Sequence, residues 1–147
     1  MAKVLAVNIS EKKGVPKKAI EKGYFESNHG LCGDAHAGEW HRQVSLLGNE
    51  SIEKIRKAGL LEVEVGRFAE NITTEGIILH ELPIGTKLKI GETVMEITQI
   101  GKECHGGGCA IKRLVGDCVM PREGVFAKVL KPGWVKAGDE IEILEEN

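Results

Sequence analysis

Aromatic residues are scarce in this chain, which disfavours one common kind of functional surface. Only 4% of the residues are aromatic, too few to build the stacking platform on which single-stranded nucleic acids bind. The formal net charge at pH 7 is also small, at −2, so the protein has no general attraction for a phosphate backbone. We therefore expect no nucleic-acid partner.

Long hydrophobic runs are missing as well. No apolar stretch approaches the roughly 18 residues that a membrane-spanning helix needs. The apolar run that begins at Val4 is too short for a signal peptide and lacks a small-residue cleavage site. The sequence contains no repeat, low-complexity tract or linker. These absences predict a single cytoplasmic domain over residues 1–147 that does not associate with a membrane.

The residues that are present describe an ordinary globular protein. Hydrophobic residues occupy 41% of the 147 positions and charged residues 29%, a composition that can bury a core. Short β-rich segments with turn signals about every ten positions predict a β-barrel or sandwich. The hairpin of residues 87–90 and 93–100 is the clearest local pattern. Further strands are predicted over residues 3–10, 40–47, 61–65, 125–130 and 140–144.

Two other segments have distinct local patterns. Residues 49–59 predict a short helix in which Ile52 and Ile55 share one face. Residues 15–23 predict a basic loop, because proline and glycine interrupt them.

A glycine-rich loop over residues 99–109 carries two thiols and an imidazole. Cys104 lies directly before His105 and two residues after Lys102, and Gly106 and Gly107 follow. Such glycines let a ligand approach the backbone, and successive N–H groups can bind an anion. The neighbouring cationic groups favour the thiolate of Cys104, which can attack a persulfide or disulfide or ligate a soft metal. The alternative is a tight turn flanked by small buried cysteines.

Four cysteines in a cytosolic chain suggest chemistry or metal binding before structural disulfides. The spacing of Cys104, Cys109 and Cys118 does not match the close pairs of structural zinc sites, so the zinc signal is weak. A thiol–disulfide oxidoreductase using Cys104 and Cys109 is also a weaker alternative, because the spacing is not Cys-x-x-Cys. Cys118 has an apolar setting that predicts a buried, inert thiol, whereas the roles of Cys32 and Cys109 stay open.

A second polar loop, residues 28–38, is followed by Arg42. Asp34 could orient a histidine or an arginine, and Arg42 could bind an anion bidentately. The simpler alternative is an Asp-stabilised turn beside a solvated arginine.

Arg122 precedes the strand over residues 125–130 and could point into the mouth of a barrel. An exposed turn formed by Arg122 and Glu123 is equally consistent with the spacing. His41 and His80 have no evident partners in the sequence and are interpreted as surface residues.

Five blocks in a fixed order resemble the MOSC domain family, named for the C-terminal domain of molybdenum cofactor sulfurase. The match is with the small stand-alone bacterial members and covers nearly the whole chain. No single block is specific, but the ordered set is. The blocks are Gly33–Gly38 with Arg42–Leu46, Gly66–Ile72, Leu82–Leu88, Gly101–Cys104, and Arg122–Ala127 continued by Gly133–Ile141.

The resemblance implies a mainly β fold, a single-domain distorted closed barrel with a few short helices. It also implies one hallmark cysteine, which looks like Cys104. In the family that thiol is proposed to carry sulfur from a pyridoxal-phosphate-dependent cysteine desulfurase, or to ligate molybdenum in the pterin cofactor. Pyridoxal phosphate would thus enter only through a partner desulfurase, and the other expected partners are enzymes of molybdenum cofactor biosynthesis.

These inferences combine into one functional hypothesis, a molybdenum-cofactor-handling or sulfur-carrier domain. Cys104 is the persulfide carrier or metal ligand, and His105 and Lys102 lower its pKa. Arg42 and Arg122 are candidates for binding the pterin phosphate. The remaining predicted cofactor-binding residues, which shape the pocket or admit the cofactor, are Asp34, His36, Asn71, Gly106 and Gly107.

The sequence leaves open whether the protein is an enzyme, with sulfur transfer as the reaction to consider. The alternative is a non-catalytic docking module for molybdenum cofactor biosynthesis enzymes, with structural thiols or zinc.

Overall fold

Strands form most of the regular structure, as the short β-rich segments predict. The computed structural model describes residues 2–12, 15–57, 65–101 and 123–144. In chain order the elements are β1 (Lys3–Ile9), β2 (Lys18–Ile20), β3 (Lys22–Glu26), β4 (Gly30–Leu31), β5 (Val44–Gly48), α1 (Asn49–Lys57), β6 (Ile72–Glu75), a 3₁₀ helix (Leu79–Glu81), β7 (Lys87–Ile90), β8 (Thr93–Ile100), β9 (Val125–Lys131), β10 (Gly133–Lys136) and β11 (Ile141–Leu144).

The strands form two sheets. The larger has the order β11-β7-β8-β9-β5-β6-β1-β2 and the smaller the order β10-β3-β4. Most neighbours are antiparallel, but β5 and β6 are parallel. A parallel pair requires a crossover connection, and α1 lies in the connection between these two strands.

The predicted closed barrel is not supported, because no sheet in the described part of the chain closes. The larger sheet ends at β11 and at β2. A single bridge, between Lys3 and Glu140, joins β1 to the residue before β11. β2 pairs with Val7 to Ile9 of β1, so only the first residues of β1 remain for contact with the far end of the sheet. The fold is mainly β, as predicted, but the sheet is open.

The apolar core spans both sheets. In β7, Leu88 and Ile90 are buried while their neighbours are exposed, the alternation expected of a half-buried strand. β5 is buried along its whole length, as expected for a strand at the centre of a sheet. Phe25 of the smaller sheet belongs to the same apolar cluster as Leu46 of the larger one.

Several local predictions are confirmed. The hairpin consists of β7 and β8, whose register pairs Ile90 with Thr93. The predicted helix is present as α1, with Ile52 and Ile55 buried. The helix prediction extends to residue 59, and residues 58–64 lie outside the described residues, together with most of the strand predicted over 61–65.

The prediction of a basic loop over residues 15–23 is wrong for its second half. β2 lies within it, and β3 begins at Lys22. The sequences of these short strands do not alternate apolar and polar residues. The strands form because β1 and β10 supply hydrogen-bonding partners. No helix in the described residues is both long and apolar enough to cross a bilayer.

Candidate functional site

A buried ion pair lies beneath the second glycine-rich loop. Lys17 Nζ is 2.8 Å from Asp34 Oδ1, and both side chains are fully buried. The backbone N–H groups of Ser10 and His36 donate to the two Asp34 oxygens over 3.1 and 3.0 Å. A buried charge persists only when it is paired and hydrogen-bonded, and Asp34 meets both conditions.

These contacts determine the ionisation of Asp34. Burial alone would raise the pKa of the carboxyl, but the hydrogen bond from Lys17 and those from Ser10 and His36 outweigh it. The net result is a pKa below the ordinary value of 3.8. Asp34 is therefore a carboxylate at neutral pH and keeps Lys17 paired.

The same ammonium group determines the tautomer of His36. Lys17 Nζ is 2.9 Å from His36 Nδ1 and 3.0 Å from Ser10 Oγ. An ammonium nitrogen has donors and no acceptor, so Nδ1 must accept, and the ring proton resides on Nε2. Lys17 thus orients the His36 ring through Nδ1, and the Asp34 carboxylate lies 3.8 Å from the same nitrogen.

The sequence gives no sign that Lys17 belongs to the site. It stands among other basic residues in the segment predicted as a loop, and nothing in its local pattern separates it from Lys18. A tertiary contact positions this residue, because the backbone N–H of Lys17 donates to Gly66 O over 2.8 Å.

Arg42 forms a second cluster at the end of β8. Its Nε donates to Gln99 Oε1 over 3.0 Å. Its guanidinium carbon lies 5.2 Å from the centre of the Phe126 ring and 6.0 Å from that of Trp40, within the range of cation–π attraction. Arg42 is half-buried, so its guanidinium is only partly withdrawn from solvent.

Trp40 joins the two clusters. Its Nε1–H donates to His36 O over 2.8 Å, while its ring lies beside Arg42. The structure therefore brings together three predicted site residues, Asp34, His36 and Arg42. We define the site cluster as Lys17, Asp34, His36, Trp40, Arg42 and Gln99.

The site cluster lies where the chain leaves β8 and returns to β9. Gln99 Nε2 donates to Gly101 O over 2.7 Å. Gly101 N–H in turn donates to Gly124 O over 2.6 Å. Gly101 and Gly124, the first beside Gln99 and the second near the start of β9, are therefore held together close to Arg42.

His41 and Glu123 both make side-chain hydrogen bonds in the described structure. His41 is exposed, as the interpretation of it as a surface residue predicts, and its Nε2 is 2.8 Å from Gln99 Oε1. Glu123 is buried, so the exposed-turn alternative is wrong for this residue. Its carboxylate accepts from Ser51 Oγ at 2.7 Å and Lys54 Nζ at 2.8 Å. Burial opposes the ionised form of Glu123, but these donors outweigh it and lower its pKa.

Asn71 belongs to a buried polar network with Ser45 and Asn8. Its Oδ1 accepts from Ser45 N–H over 3.0 Å, and its Nδ2 donates to Asn8 O over 3.3 Å. These bonds cross-link β5, β1 and the residue before β6. A role for Asn71 in cofactor binding stays a prediction.

Glu70, beside Asn71, is a buried carboxyl that sequence inspection overlooked. Burial raises its pKa, and the hydrogen bonds from Gly66 N–H, Phe68 N–H and Thr73 Oγ1 offset the effect only in part. The carboxyl is enclosed by its own loop, so its contacts indicate a structural function.

Six of the predicted site positions cannot be placed with these contacts. Lys102, Cys104, His105, Gly106, Gly107 and Arg122 lie outside the described residues, as do the other loop thiols, Cys109 and Cys118. In the described part of the chain, no three His, Cys, Asp or Glu side chains are grouped to hold a metal ion.

Cys32 is the described thiol, and its surroundings do not activate it. It is exposed, with Sγ 3.7 Å from Glu26 Oε2. Partial burial and the Glu26 carboxylate raise its pKa, so its thiolate is disfavoured.

Comparisons with solved structures agree on the fold. The chain is similar to the YuaD protein from Bacillus subtilis, with a TM-score of 0.80 and 21% identity over 100% of this chain and 98% of that one. It is also similar to YiiM from Geobacillus stearothermophilus, with a TM-score of 0.76 and 16% identity over 99% and 76% of the two chains. For YiiM from Escherichia coli the TM-score is 0.66, with 17% identity over 98% and 71%.

Sequence comparisons decide the family. A search of curated proteins finds no match. The family model described as MOSC domain matches residues 33–142, a range that contains the site cluster except Lys17 and also contains Cys104. The chain therefore belongs to the MOSC domain family, which is associated with functions related to the molybdenum cofactor.

Proposed function

We propose that this protein is a molybdenum-cofactor-handling or sulfur-carrier domain in which Cys104 carries persulfide sulfur or ligates molybdenum. The observation that carries the proposal is the position of Arg42. Its guanidinium is held by Gln99 at the end of β8, two residues before Gly101. The cation therefore lies at the base of the segment that contains Cys104.

Covalent geometry limits how far Cys104 can be from this cation. Cys104 follows Gly101 by three residues. Because consecutive residues span at most about 3.6 Å, its Cα atom lies within roughly 11 Å of that of Gly101 in any conformation. This limit allows the Cys104 sulfur to contact Arg42, and a cation in direct contact with the sulfur favours a thiolate over a thiol.

The sulfur-transfer step needs no oxidant. The Cys104 thiolate attacks the outer sulfur of a persulfide on a partner cysteine desulfurase, and a new S–S bond forms. The S–S bond of the donor breaks, and its thiolate leaves with the electron pair. The product is a persulfide on Cys104, which a later thiolate can attack in the same way.

The donor set of the site cluster fits an anionic, planar cofactor. Among the described residues, only the Nε of Arg42 is hydrogen-bonded, which leaves its terminal nitrogens for a phosphate. Trp40 is 39% exposed and can cover a ring system. Arg42, Trp40 and His36 would hold the cofactor, and molybdenum would add a metal centre for oxo or sulfido transfer.

A persulfide assay tests the carrier role. The protein is incubated with a cysteine desulfurase and cysteine, and its intact mass is measured for the native chain, Cys104→Ser and Cys32→Ser. Cys32 is the matched control, because its raised pKa disfavours attack. We expect added sulfur on the native protein and on Cys32→Ser, with a loss of at least tenfold on Cys104→Ser. Equal sulfur on Cys104→Ser would refute a carrier role for this residue.

Elemental analysis separates the two forms of the proposal from the docking alternative. Protein purified from cells grown with molybdate should contain molybdenum if Cys104 acts as its ligand, and Arg42→Ala should reduce that content. Stoichiometric zinc, with no sulfur accepted by Cys104, would instead favour a docking module with structural thiols.

A further inference from the structure

A small cavity lies between α1 and the 3₁₀ helix, lined by none of the residues of the site cluster. Its volume is about 180 Å³. Its lining includes Gly48, Glu50, Lys54, Ile77, His80, Glu81 and Glu123. None of these residues has a part in the proposed sulfur chemistry.

Gly48, the last residue of β5, is the first unusual feature of this cavity. A glycine weakens a strand and often marks a close approach by a ligand. Gly48 is not in the left-handed region that would require glycine. The three heavy atoms nearest to a Cβ at this position would all be oxygens: Glu50 Oε1 at 3.1 Å, Thr74 Oγ1 at 3.7 Å and Ile77 O at 3.8 Å.

Thr74 provides an independent observation. Its side chain is fully buried, and its hydroxyl has no hydrogen-bond partner among the described residues. An unsatisfied buried hydroxyl is costly and therefore uncommon. Its oxygen is one of the three that converge above Gly48, so a group bound there would satisfy it.

One carboxylate oxygen of Glu50, Oε1, is the nearest of the three to the Gly48 Cβ position. Its Oε2 accepts from Gly76 N–H over 2.7 Å, which orients the carboxylate and leaves Oε1 directed at the Gly48 position. Carboxylate, hydroxyl and carbonyl oxygens are the ligands that hard cations and ammonium groups prefer. We name the three oxygens of Glu50, Thr74 and Ile77 the Gly48 cradle.

We propose that the Gly48 cradle binds a monovalent cation, either an alkali-metal ion or the ammonium group of a small amine. The charge of the ligand follows from the number of carboxylates. The cradle contains one carboxylate, whereas all-oxygen sites for divalent ions usually contain several. The nearby Glu123 is already neutralised by Lys54, at 2.8 Å, and Glu81 is exposed at the rim.

Thermal unfolding at constant ionic strength tests the proposal. The melting temperature is measured with potassium, sodium, ammonium or methylammonium chloride, each replacing tetramethylammonium chloride, which is too large for the cradle. We expect a saturable rise for the native protein with at least one of them. Glu50→Gln and Gly48→Ala should weaken the apparent affinity by tenfold or more. Glu142→Gln, an exposed change on β11, should leave it unchanged.

The arms of the experiment identify the ligand. A rise with potassium or sodium alone assigns an alkali-metal ion, and a rise with methylammonium assigns an amine. Equal melting temperatures in all salts, or a dependence that Glu50→Gln and Gly48→Ala both retain, would overturn the proposal.

A crystallographic measurement on the native protein tests the proposal without any substitution, so it does not depend on whether the variants fold. Crystals of the native protein soaked in rubidium chloride should show an anomalous peak within contact distance of Glu50 Oε1 and Thr74 Oγ1. A map without that peak, together with no stabilisation by methylammonium, would leave only a bound water and end the proposal.

Discussion

At the scale of single residues, Lys17 connects the most chemistry in this structure. Its ammonium group touches Asp34, Ser10 and His36, so one buried cation keeps a carboxylate ionised and orients an imidazole. Removing that cation would leave the negative charge of Asp34 without a partner in a buried position.

Substituting Lys17 should therefore be far more damaging than substituting an exposed lysine. For Lys17→Met we expect the free energy of unfolding to fall by about 3–5 kcal/mol. The matched control is Lys3→Met, which removes a solvent-exposed pair with Glu75 and should cost less than about 1 kcal/mol. Urea unfolding monitored by tryptophan fluorescence measures both. Similar losses for the two variants would mean that the Lys17 pair is not buried in solution.

The lowered pKa of Asp34 predicts an acid-dependent stability. A carboxyl with a depressed pKa in the folded state stabilises the protein above its unfolded pKa, and that contribution is lost as pH falls through the folded value. The free energy difference between native protein and Asp34→Asn should thus be constant near neutral pH and shrink below about pH 3.8. Urea titrations at several pH values would measure it, and a difference that grows on acidification would contradict the assignment.

At the scale of elements, a close approach between two loops positions Lys17. Gly66 has a φ of +84°, and a Cβ there would be 2.2 Å from Lys17 O. Gly138 has a similar φ of +93° but nothing within 4 Å of its Cβ position. A side chain at Gly138 would therefore meet only the cost of its backbone conformation, whereas one at Gly66 would also meet a steric clash.

Alanine at these two positions should differ in effect. Gly138→Ala should cost about 1–2 kcal/mol, the price of a left-handed non-glycine residue. Gly66→Ala should cost clearly more, because the Lys17 segment must move away and disturb the ion pair with Asp34. Chemical denaturation of both variants gives the comparison, and equal losses would show that the loop adjusts freely.

The β-elements also show which parts of the fold the sequence could predict. The 87–90 and 93–100 strands and the helix from residue 49 have local periodicity, and they were located correctly. β2 and β10 were not, because their strands depend on partners distant in sequence: Ile20 pairs with Val7, and Gly133 with Phe25. The same holds for the candidate site, where Asp34, His36 and Arg42 came from sequence blocks while Lys17 and Gln99 did not.

At the scale of the whole molecule, backbone hydrogen bonds join the first strand to the turn before β11. Val4 N–H donates to Asp139 O over 2.7 Å, and Gly138 N–H to Val4 O over 2.8 Å. Ile141 N–H donates to Ala2 O over 3.0 Å. These bonds join β1 to the far end of the sheet without forming a full ladder.

Hydrogen exchange can measure how firmly this junction is held. If this junction is part of the global fold, the amide protons of Val4 and Ile141 should exchange as slowly as those of the central strand β5, through global unfolding. Native-state exchange followed by NMR gives residue-level values. Rapid exchange at both amides, with β5 still protected, would show that the junction opens independently of the core.

The sequence by itself determined the mainly β class and the family, and it predicts Cys104 as the hallmark thiol. These depend on local composition and on motifs in a fixed order, which are readable along the chain. Only the tertiary structure decided that the sheet stays open, that Lys17 and Asp34 form a buried pair and that Arg42 is hydrogen-bonded to Gln99 at the end of β8. Each of these depends on contacts between residues far apart in sequence, and such contacts leave no periodic pattern in either partner.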